Sequence, residues 1–454
     1  MVIYRGWGMS DYQSLLNNIP SEWETKSIYE LGTVVSGGTP SRAVAPFWQG
    51  NIPWLTPGEV SKHKSKYIQT TAEYITNSGL SNSGANLLPE GSLLVTSRAT
   101  LGARVINQLP ITTNQGFKSI VFKDPNDAEY YYHFFSLLKA ELERRASGTT
   151  FLEISGTEFS EIDLPVPPPI ERNKINEVLD TLDTQIRETE AIIAKLQQVK
   201  QGLLHDLLTR GVDENGELRP GYEDAPELYK SSELGWIPVN WTCMNIGEAI
   251  TKKYIMEVQD GNHGEIHPKT SDFVKDGVPF IMANDIQNNK INFDKCYRIS
   301  EKQYESLRIG FSKASDVLLS HKGTVGQVAI VPDDCEKIML TPQVTYYRCD
   351  AEQLAPQYLS CWFLGSYFQK ILSALSAQST RAYIGILAQR ELPLLFPTKK
   401  EQLMISERYS SICNRYDFEL AHLKKLKLKK SGLMDDLLTG KVRVTELLKQ
   451  KQAS

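Results

Sequence analysis

The strongest constraint on the fold is that the sequence repeats itself. The segment LLVTSRATLGARVI, which begins at Leu93, recurs 224 residues later as VLLSHKGTVGQVAI, which begins at Val317. Other matches lie 218 to 230 residues apart, a drift expected where surface loops gain and lose residues. The chain is therefore predicted to contain two similar globular domains, related by an internal pseudo-twofold duplication.

The drift stops in one pair of stretches. Residues 171–209 match residues 401–439 at a constant offset of 230, so their length is fixed by geometry. Both carry apolar residues at the alternating three and four spacing of a coiled-coil seam, which predicts two long helices of about 58 Å each. The predicted pairing positions are Ile175, Leu179, Leu182, Ile186, Ile193, Leu196, Leu203, Ile405, Ile412, Tyr416, Leu423, Leu426 and Leu433.

Charge predicts how the helices pair. Acidic residues crowd the start of the first helix, whereas lysines crowd the end of the second, and each sign suits the dipole at its own helix end. These groups are Glu177, Asp180, Asp183, Glu188 and Glu190, and Lys424, Lys425, Lys427, Lys429 and Lys430. They face one another only in an antiparallel pair, which we therefore predict. The lysine run also fits a solvated face or a contact with DNA phosphates.

Local signals mark the helix ends and interiors. The first helix is predicted to begin at Pro167-Pro168-Pro169, and the second at Thr398, which forms a capping box with Glu401. Gly202 and Gly432 interrupt both apolar patterns at matched positions. They indicate close helix packing, a bend, or helices that end a turn early.

Short β-like runs and helical runs alternate in the rest of each half. The predicted fold class is α+β, with two mixed α/β domains separated by two long antiparallel coiled-coil helices. The predicted boundaries are 1–169 for the first domain, 170–209 for the first helix, 210–235 for a polar linker, 236–397 for the second domain, 398–439 for the second helix and 440–454 for a tail.

Composition restricts the function classes. The chain lacks an apolar run long enough to span a bilayer and a recognisable secretory signal, which predicts a cytoplasmic protein. The six cysteines form no C-x-x-C pair and are predicted to be reduced packing residues. A net charge of −4 and a pI near 6.1 disfavour DNA binding unless basic residues cluster locally or partners contribute phosphate contacts.

Turns with polar side chains recur at matched places in the two halves. Their residue types suit base edges and phosphates, because Arg and Lys pair with guanine, Asn and Gln pair with adenine, and small residues allow close backbone approach. The candidate positions are Ser36, Gly37, Gly38, Thr39, Thr56, Arg98, Thr100, Asn114 and Gln115 in the first half and Asn284, Asp285, Lys322, Gly323, Thr324 and Gln343 in the second. Ordinary turn or core use is an alternative for each of them.

The sequence offers no catalytic motif. It lacks both the Asn-Pro-Pro-aromatic loop of adenine amino-methyltransferases and the G-x-x-x-x-G-K-S/T phosphate loop. His263 and His267 have the spacing of helical metal ligands, but Gly264 and Pro268 make this segment a loop. The chain is thus predicted to be non-catalytic and to bind no metal.

Together these segments resemble the specificity subunit of type I restriction-modification systems over essentially the whole chain. The resemblance is carried by SGGTPSR and FWQGNIPWLTPGEV in the first half, GVPFIMANDI and DVLLSHKGTVGQVAIVP in the second, and KQGLLHDLLTRGVDENGELRP and KSGLMDDLLTGKVRV at the helix ends. Residues 1–10 are an extra lead relative to the family's usual start.

The resemblance implies two target-recognition domains, each of which reads one half of a split site in double-stranded DNA, with the helices setting the unread gap. It implies that two methyltransferase subunits dock on the helices, and that restriction and motor subunits join this core. S-adenosylmethionine, ATP and Mg would then be used by those partners, and this chain would need no cofactor. Two alternatives are a methyltransferase or nuclease fused to its own specificity region, and a coiled-coil adaptor without a DNA role.

Overall fold

The computed structural model describes residues 9–98, 100–148, 152–263, 266–377 and 382–445, with side chains from Tyr12 onwards. The chain divides into two compact units. The first unit comprises residues 1–191 and 421–454, and the second comprises residues 192–420. Each of the two long helices therefore contributes one end to each unit.

The first unit combines small sheets with short helices. Its elements are α1 (Met9–Asn17), β1 (Glu24–Ser27), α2 (Ile28–Leu31), β2 (Gly32–Ser36), β3 (Trp48–Leu55), α3 (Pro57–Lys62), β4 (Tyr67–Ile68), β5 (Glu73–Ile75), α4 (Asn77–Ser81), β6 (Leu93–Thr96), β7 (Arg104–Asn107), β8 (Thr112–Thr113), β9 (Phe117–Phe122), α5 (Asp127–Phe134), α6 (Lys139–Arg145), α7 (Gly156–Ser160), β10 (Asp163–Val166) and the first part of α8 (Pro169–Thr209). Its main sheet has the order β2-β9-β6-β7-β4, and a second sheet has the order β5-β3-β8.

Strand β6 shows why the main sheet is stable. All four of its residues are buried, because successive side chains point to opposite faces and both faces are covered. Leu93 and Val95 pack into the core formed with α5 and α8, whereas Leu94 packs into a second core with Leu55 and Phe117. A short strand held on both faces supports the turn that follows it.

The second unit repeats this plan. Its elements are β11 (Tyr229–Ser232), β12 (Gly235–Pro238), β13 (Thr242–Asn245), α9 (Ile246–Thr251), β14 (Ile255–Asp260), β15 (Phe273–Ile281), β16 (Ile286–Gln287), β17 (Lys290–Ile291), β18 (Tyr297–Ile299), α10 (Glu301–Ser306), β19 (Phe311–Ser312), β20 (Val317–Ser320), β21 (Val328–Ile330), β22 (Ile338–Leu340), β23 (Val344–Cys349), α11 (Pro356–Leu364), α12 (Ser366–Ser376), α13 (Ile386–Arg390), β24 (Pro393–Phe396) and the first part of α14 (Lys399–Leu438). Its sheets have the orders β14-β23-β20-β21 and β18-β15-β22-β19.

Strand β20 of the second unit corresponds to β6. Val317 and Leu319 face one core, and Leu318 faces the other. The order β14-β23-β20-β21 also matches β2-β9-β6-β7, so the predicted duplication holds in the fold as well as in the sequence.

The long helices are antiparallel, as the charge pattern predicted. In the first unit the start of α8 lies against the end of α14, where Lys427 is 2.6 Å from Glu190 and Lys430 pairs with Asp183. In the second unit the end of α8 shares a core with the start of α14. The helices have 41 and 40 residues, or about 60 Å each at 1.5 Å per residue.

The predicted pairing residues lie on the inner sides of these helices. Ile175, Leu179, Leu182, Leu196, Ile405 and Leu426 are buried, and Ile186, Ile193, Leu203, Ile412, Tyr416, Leu423 and Leu433 are half-buried. The ionic contacts are more selective than the pattern suggested. Lys424, Lys425 and Lys429 are exposed, and Asp180 turns towards Lys66 and His133.

The structure revises two local predictions. Both helices continue through Gly202 and Gly432, and a Cβ atom at either position would meet open space, so neither close packing nor early helix ends explains these glycines. Thr398 does cap α14, but the carboxylate of Glu401 does not return to it. It instead pairs with Arg219 and accepts from the amide of Val212. A buried carboxylate gains more from a guanidinium than from an amide alone.

Three further sequence predictions concern composition. Helix α1 covers part of the extra lead, and its Tyr12 and Leu15 are buried in the core of the first unit; residues 1–8 lie outside the described part of the chain. All six cysteines are free thiols, and Cys361 is buried. No helix among the described residues combines the length and apolar character needed to cross a membrane.

Candidate nucleic-acid interface

Four strand ends converge in the first unit. The turns after β2, β3, β6 and β8 are joined by backbone hydrogen bonds: the amide of Gly38 donates to Thr113 at 2.9 Å, that of Asn114 to Leu55 at 3.0 Å, and that of Ser97 to Gly116 at 2.8 Å. We call residues 36–39, 56–59, 97–100 and 113–116 the first turn cluster. Ala99 lies outside the described residues.

Glycines allow these turns to meet. A Cβ atom on Gly37 would lie 1.9 Å from the Asn114 carbonyl oxygen, and one on Gly38 would lie 2.1 Å from the backbone of Gly84. Close packing therefore requires glycine at both positions, whether or not the backbone also approaches a ligand. Beside them, the exposed hydroxyl of Thr39 donates to the side chain of Gln115, so two candidate residues that are distant in sequence form one polar patch.

Some residues in the first cluster are structural. Thr56 begins α3, and its amide and hydroxyl donate to Glu59 at 3.0 and 2.7 Å. The other Glu59 oxygen accepts from the amide of Ala72. Asn114 likewise accepts from the amide of Gly116 at 2.8 Å. Thr56 and Asn114 thus shape the turns with the same atoms that could contact a base.

Arg98 and Thr100 are the outward-facing part of the β6 turn. Thr100 is exposed and accepts from Ser61 at 3.0 Å. The Arg98 side chain is 36% exposed, and its guanidinium is 3.9 Å from the carboxylate of Glu153. Lys118 lies at the same distance from that carboxylate. Arg98 is therefore available to a ligand, and it is oriented by a carboxylate that the sequence reasoning did not select.

The second unit builds the same arrangement at the ends of β14, β15, β20 and β22. The amide of His321 donates to the Gln343 carbonyl at 2.9 Å, and the amide of Ala283 donates to the Gln343 side chain at 3.2 Å. We call residues 260–262, 282–285, 321–324 and 341–343 the second turn cluster. Asn284, Lys322, Gly323 and Thr324 are exposed, whereas Gln343 is half-buried.

Asp285 occupies the place of Glu59 and has the same structural role. It is buried, and its carboxylate accepts from the amide of Met282 at 2.8 Å. Burial raises the pKa of Asp285, although the hydrogen bond from Met282 opposes this shift. Its accepting capacity is thus used to close the turn, which leaves Asn284 as the outward side chain of this segment.

His321 is the most buried titratable side chain of the second cluster. Its Nδ1 is 3.1 Å from the Ile384 carbonyl oxygen, which can only accept, so Nδ1 carries the proton. Its Nε2 lies 3.6 Å from the carboxylate of Asp260. Burial lowers the pKa of His321, against the attraction of Asp260. The ring is therefore neutral near pH 7 and supports the turn that presents Lys322.

Sequence reasoning missed four contributors to these clusters. Asp260 and Gly261 hold in the second unit the place of Ser36 and Gly37, and Glu153 and Tyr383 flank the basic residues Arg98 and Lys322. A signal existed, because extending the duplication past the obvious segments aligns each pair at offsets of 224 and 230.

The histidines considered as metal ligands have other contacts. His263 Nδ1 lies 3.0 Å from the Gly261 carbonyl, and His267 packs against Phe280. Among the described residues, one group has metal-ligand proximity, namely His133, Asp180 and Asp183. Lysines already balance this group, since Lys66 is 2.9 Å from Asp180 and Lys430 pairs with Asp183.

Comparison with known proteins gives one consistent result. Residues 20–198 match the family described as "Type I restriction modification DNA specificity domain". The chain is 25% identical over 461 residues to the type I restriction enzyme MjaIX specificity subunit of Methanocaldococcus jannaschii, covering 98% of this chain and 99% of that protein. It is 24% identical to the EcoBI specificity subunit of Escherichia coli, over 72% and 68% of the two chains.

Solved structures agree on the fold. The type I restriction-modification S subunit from M. genitalium superposes with a TM-score of 0.57 at 14% identity, over 93% of this chain and 96% of that one. Similarity of sequence and fold thus extends over both halves of the duplication. The chain belongs to the specificity-subunit family of type I restriction-modification systems.

Proposed function

We propose that this chain is the sequence-specific DNA-binding subunit of a type I restriction-modification complex. Each turn cluster reads one half of a bipartite site, and the length of α8 and α14 sets the unread spacer. The observation that carries the proposal is that one strand-end scaffold is built twice with different exposed side chains. Thr39, Arg98 and Gln115 face outward in the first cluster, and Asn284 and Lys322 do so in the second.

Charge supports a function within a complex. The net charge of −4 gives weak general attraction to phosphates, and Arg98 and Lys322 are the exposed cations among the candidate residues. We infer that two methyltransferase subunits dock on the long helices, contribute further phosphate contacts and carry the chemistry. S-adenosylmethionine, ATP and Mg would be bound by methyltransferase, restriction and motor partners in the cytoplasm, and this chain supplies recognition without a catalytic centre.

The main test is the methylation pattern that the chain directs. The full chain is produced with the methyltransferase subunit of its own system, and methylated adenines are mapped in genomic DNA. We expect one split sequence motif that disappears when this chain is omitted. Methylation that is independent of the chain, or that lacks sequence preference, would contradict the proposal.

Modularity is tested by exchange. Replacing residues 236–397 with those of a relative should change one half of the motif and leave the other half intact. The reciprocal exchange of residues 1–169 should change only the other half. A change in both halves after a single exchange would show that the units do not read independently.

The spacer is tested by insertion into α8. Four added helical residues extend the helix by about 6 Å, roughly two base-pair steps, and should lengthen the unread gap without changing either half-site. The matched control adds four residues to the linker at residues 210–235, where we expect no change. An unchanged gap after the helix insertion would refute the role of α8 as the spacer.

A further inference from the structure

The two turn clusters differ in chemistry at one matched position. A backbone bridge joins Arg98 to Glu153 in the first unit, and an equivalent bridge joins Lys322 to Tyr383 in the second. Glu153 and Tyr383 lie 230 residues apart, the same offset that relates α7 to α13 just beyond them. One scaffold position beside the exposed basic residue thus holds a carboxylate in one unit and a phenol in the other.

The backbone of Glu153 is held firmly, while its side chain is accessible. Its amide donates to the Ser147 carbonyl and its carbonyl accepts from the Ser147 amide, both at 3.0 Å, and the next amide, of Ile154, donates to Ser97 at 3.1 Å. The side chain is 41% exposed, and its carboxylate lies 3.9 Å from both Arg98 and Lys118. A carboxylate repels phosphate, so these cations make its presence on a DNA-facing surface tolerable without satisfying its oxygens. The oxygens remain able to accept an amino group, and cytosine N4 is the base donor that carboxylates read.

Tyr383 is held in the same way by its neighbours. The amide of Gly323 donates to Ala382 at 3.0 Å, and the amide of Ile384 donates to His321 at 2.9 Å. The ring lies 5.6 Å from the His321 ring and 5.9 Å from Lys322 Nζ, and 47% of the residue is exposed. An exposed aromatic face next to a cation suits apolar contact with the thymine methyl group, while the cation holds the phosphate or an adjacent base edge.

We propose that Glu153 and Tyr383 are specificity-determining residues that make the two duplicated clusters read different bases. Glu153 selects a cytosine in the half-site read by the first unit, and Tyr383 selects a thymine in the half-site read by the second. This inference rests on the proposed DNA-reading function and names the base chemistry of each site.

The test begins with the motif mapped for the unaltered complex, followed by Glu153→Gln and Tyr383→Ser. We expect Glu153→Gln to reduce discrimination for a cytosine about tenfold in one half-site only. Tyr383→Ser should relax a thymine in the other half-site only. Glu161→Gln and Tyr367→Phe alter exposed residues of the same types elsewhere in the two units and should leave the motif unchanged.

A second measurement uses the assembled complex and synthetic duplexes. Replacing the selected thymine with deoxyuridine removes only its methyl group and should weaken binding of the unaltered complex about fourfold. The same replacement should have no effect on Tyr383→Ser, whereas Tyr383→Phe should respond like the unaltered protein. Thermal melts verify that each variant is folded, and Glu153→Asp, which keeps the carboxylate, should retain the cytosine preference.

The two possible failures are distinguishable. If the unaltered chain directs no split motif, the proposed function fails. If it directs one, but Glu153→Gln and Tyr383→Ser leave every base preference unchanged or alter both half-sites alike, the proposed function stands and the assignment of these two residues is overturned.

Discussion

The buried ion pair between Arg219 and Glu401 predicts a large and specific loss of stability. The Glu401 side chain is 3% exposed and that of Arg219 is 13% exposed, with guanidinium-to-carboxylate contacts of 2.5 and 3.1 Å. Arg219→Ala leaves a carboxylate buried beside the amide of Val212 without its cation, a change that costs about 3 to 5 kcal/mol. For a unit of this size, even 3 kcal/mol lowers the melting temperature by about 6 to 12 °C.

Differential scanning calorimetry and hydrogen exchange of residues 399–410 would measure this loss. The matched control is Arg408→Ala, which removes a salt bridge to the exposed Glu217 and should cost about 0 to 1 kcal/mol. Adding Glu401→Gln to Arg219→Ala removes the stranded charge and should restore much of the loss. The reasoning is refuted if Arg219→Ala melts within 2 °C of the unaltered protein, or if Glu401→Gln deepens the loss.

Three other outcomes are expected from the contacts described above. Gly202→Ala and Gly432→Ala meet open space within helices and should each stabilise the chain by up to about 1 kcal/mol, whereas Gly211→Ala, with φ +65° and a Cβ 2.2 Å from Glu401, should destabilise it in urea titrations. Burial lowers the pKa of His133 despite its hydrogen bond with Asp180, so the unfolded chain binds that proton first, and the first unit should lose stability as pH falls below about 6.5. Glutamine at position 133 should flatten that part of a stability-against-pH curve, and an unchanged slope would exclude His133 as its source. Arg98→Ala and Lys322→Ala should each weaken binding to duplexes of any sequence and lower the salt slope by about 1, as measured by anisotropy in increasing salt; an unchanged slope would show that the residue does not neutralise a phosphate.

The duplication and the antiparallel helices were predictable because both leave a periodic record. Seam residues such as Leu179 and Leu426 must recur at fixed spacing along a helix, and the opposed charges at Asp183 and Lys430 had to face one another. Nothing comparable records which polar side chain faces outward from a short turn. Thr56 and Asn284 occupy similar turns in the sequence, but only the folded chain shows that Thr56 uses its hydroxyl as a cap while Asn284 is exposed.

Contacts between distant segments explain the remaining differences. The sequence signal at Thr398 correctly indicated a helix start, but Glu401 was drawn away by Arg219, which lies 182 residues earlier in the chain. Glu153 and Tyr383 escaped attention because each joins its cluster through a single backbone bridge rather than through a recognisable motif. Local propensity does not encode such pairings, since the preceding fold creates them.

The division of each long helix between two units has a consequence for biosynthesis. The core of the first unit includes Met434, Leu437, Leu438 and Val444, together with residues from the opening of the chain such as Trp23 and Ile28. A ribosome must therefore translate nearly the whole message before the amino-terminal unit can close, whereas the residues of the second unit have all been synthesised earlier. A premature stop codon near residue 420 would accordingly damage the unit encoded first and spare the one encoded last.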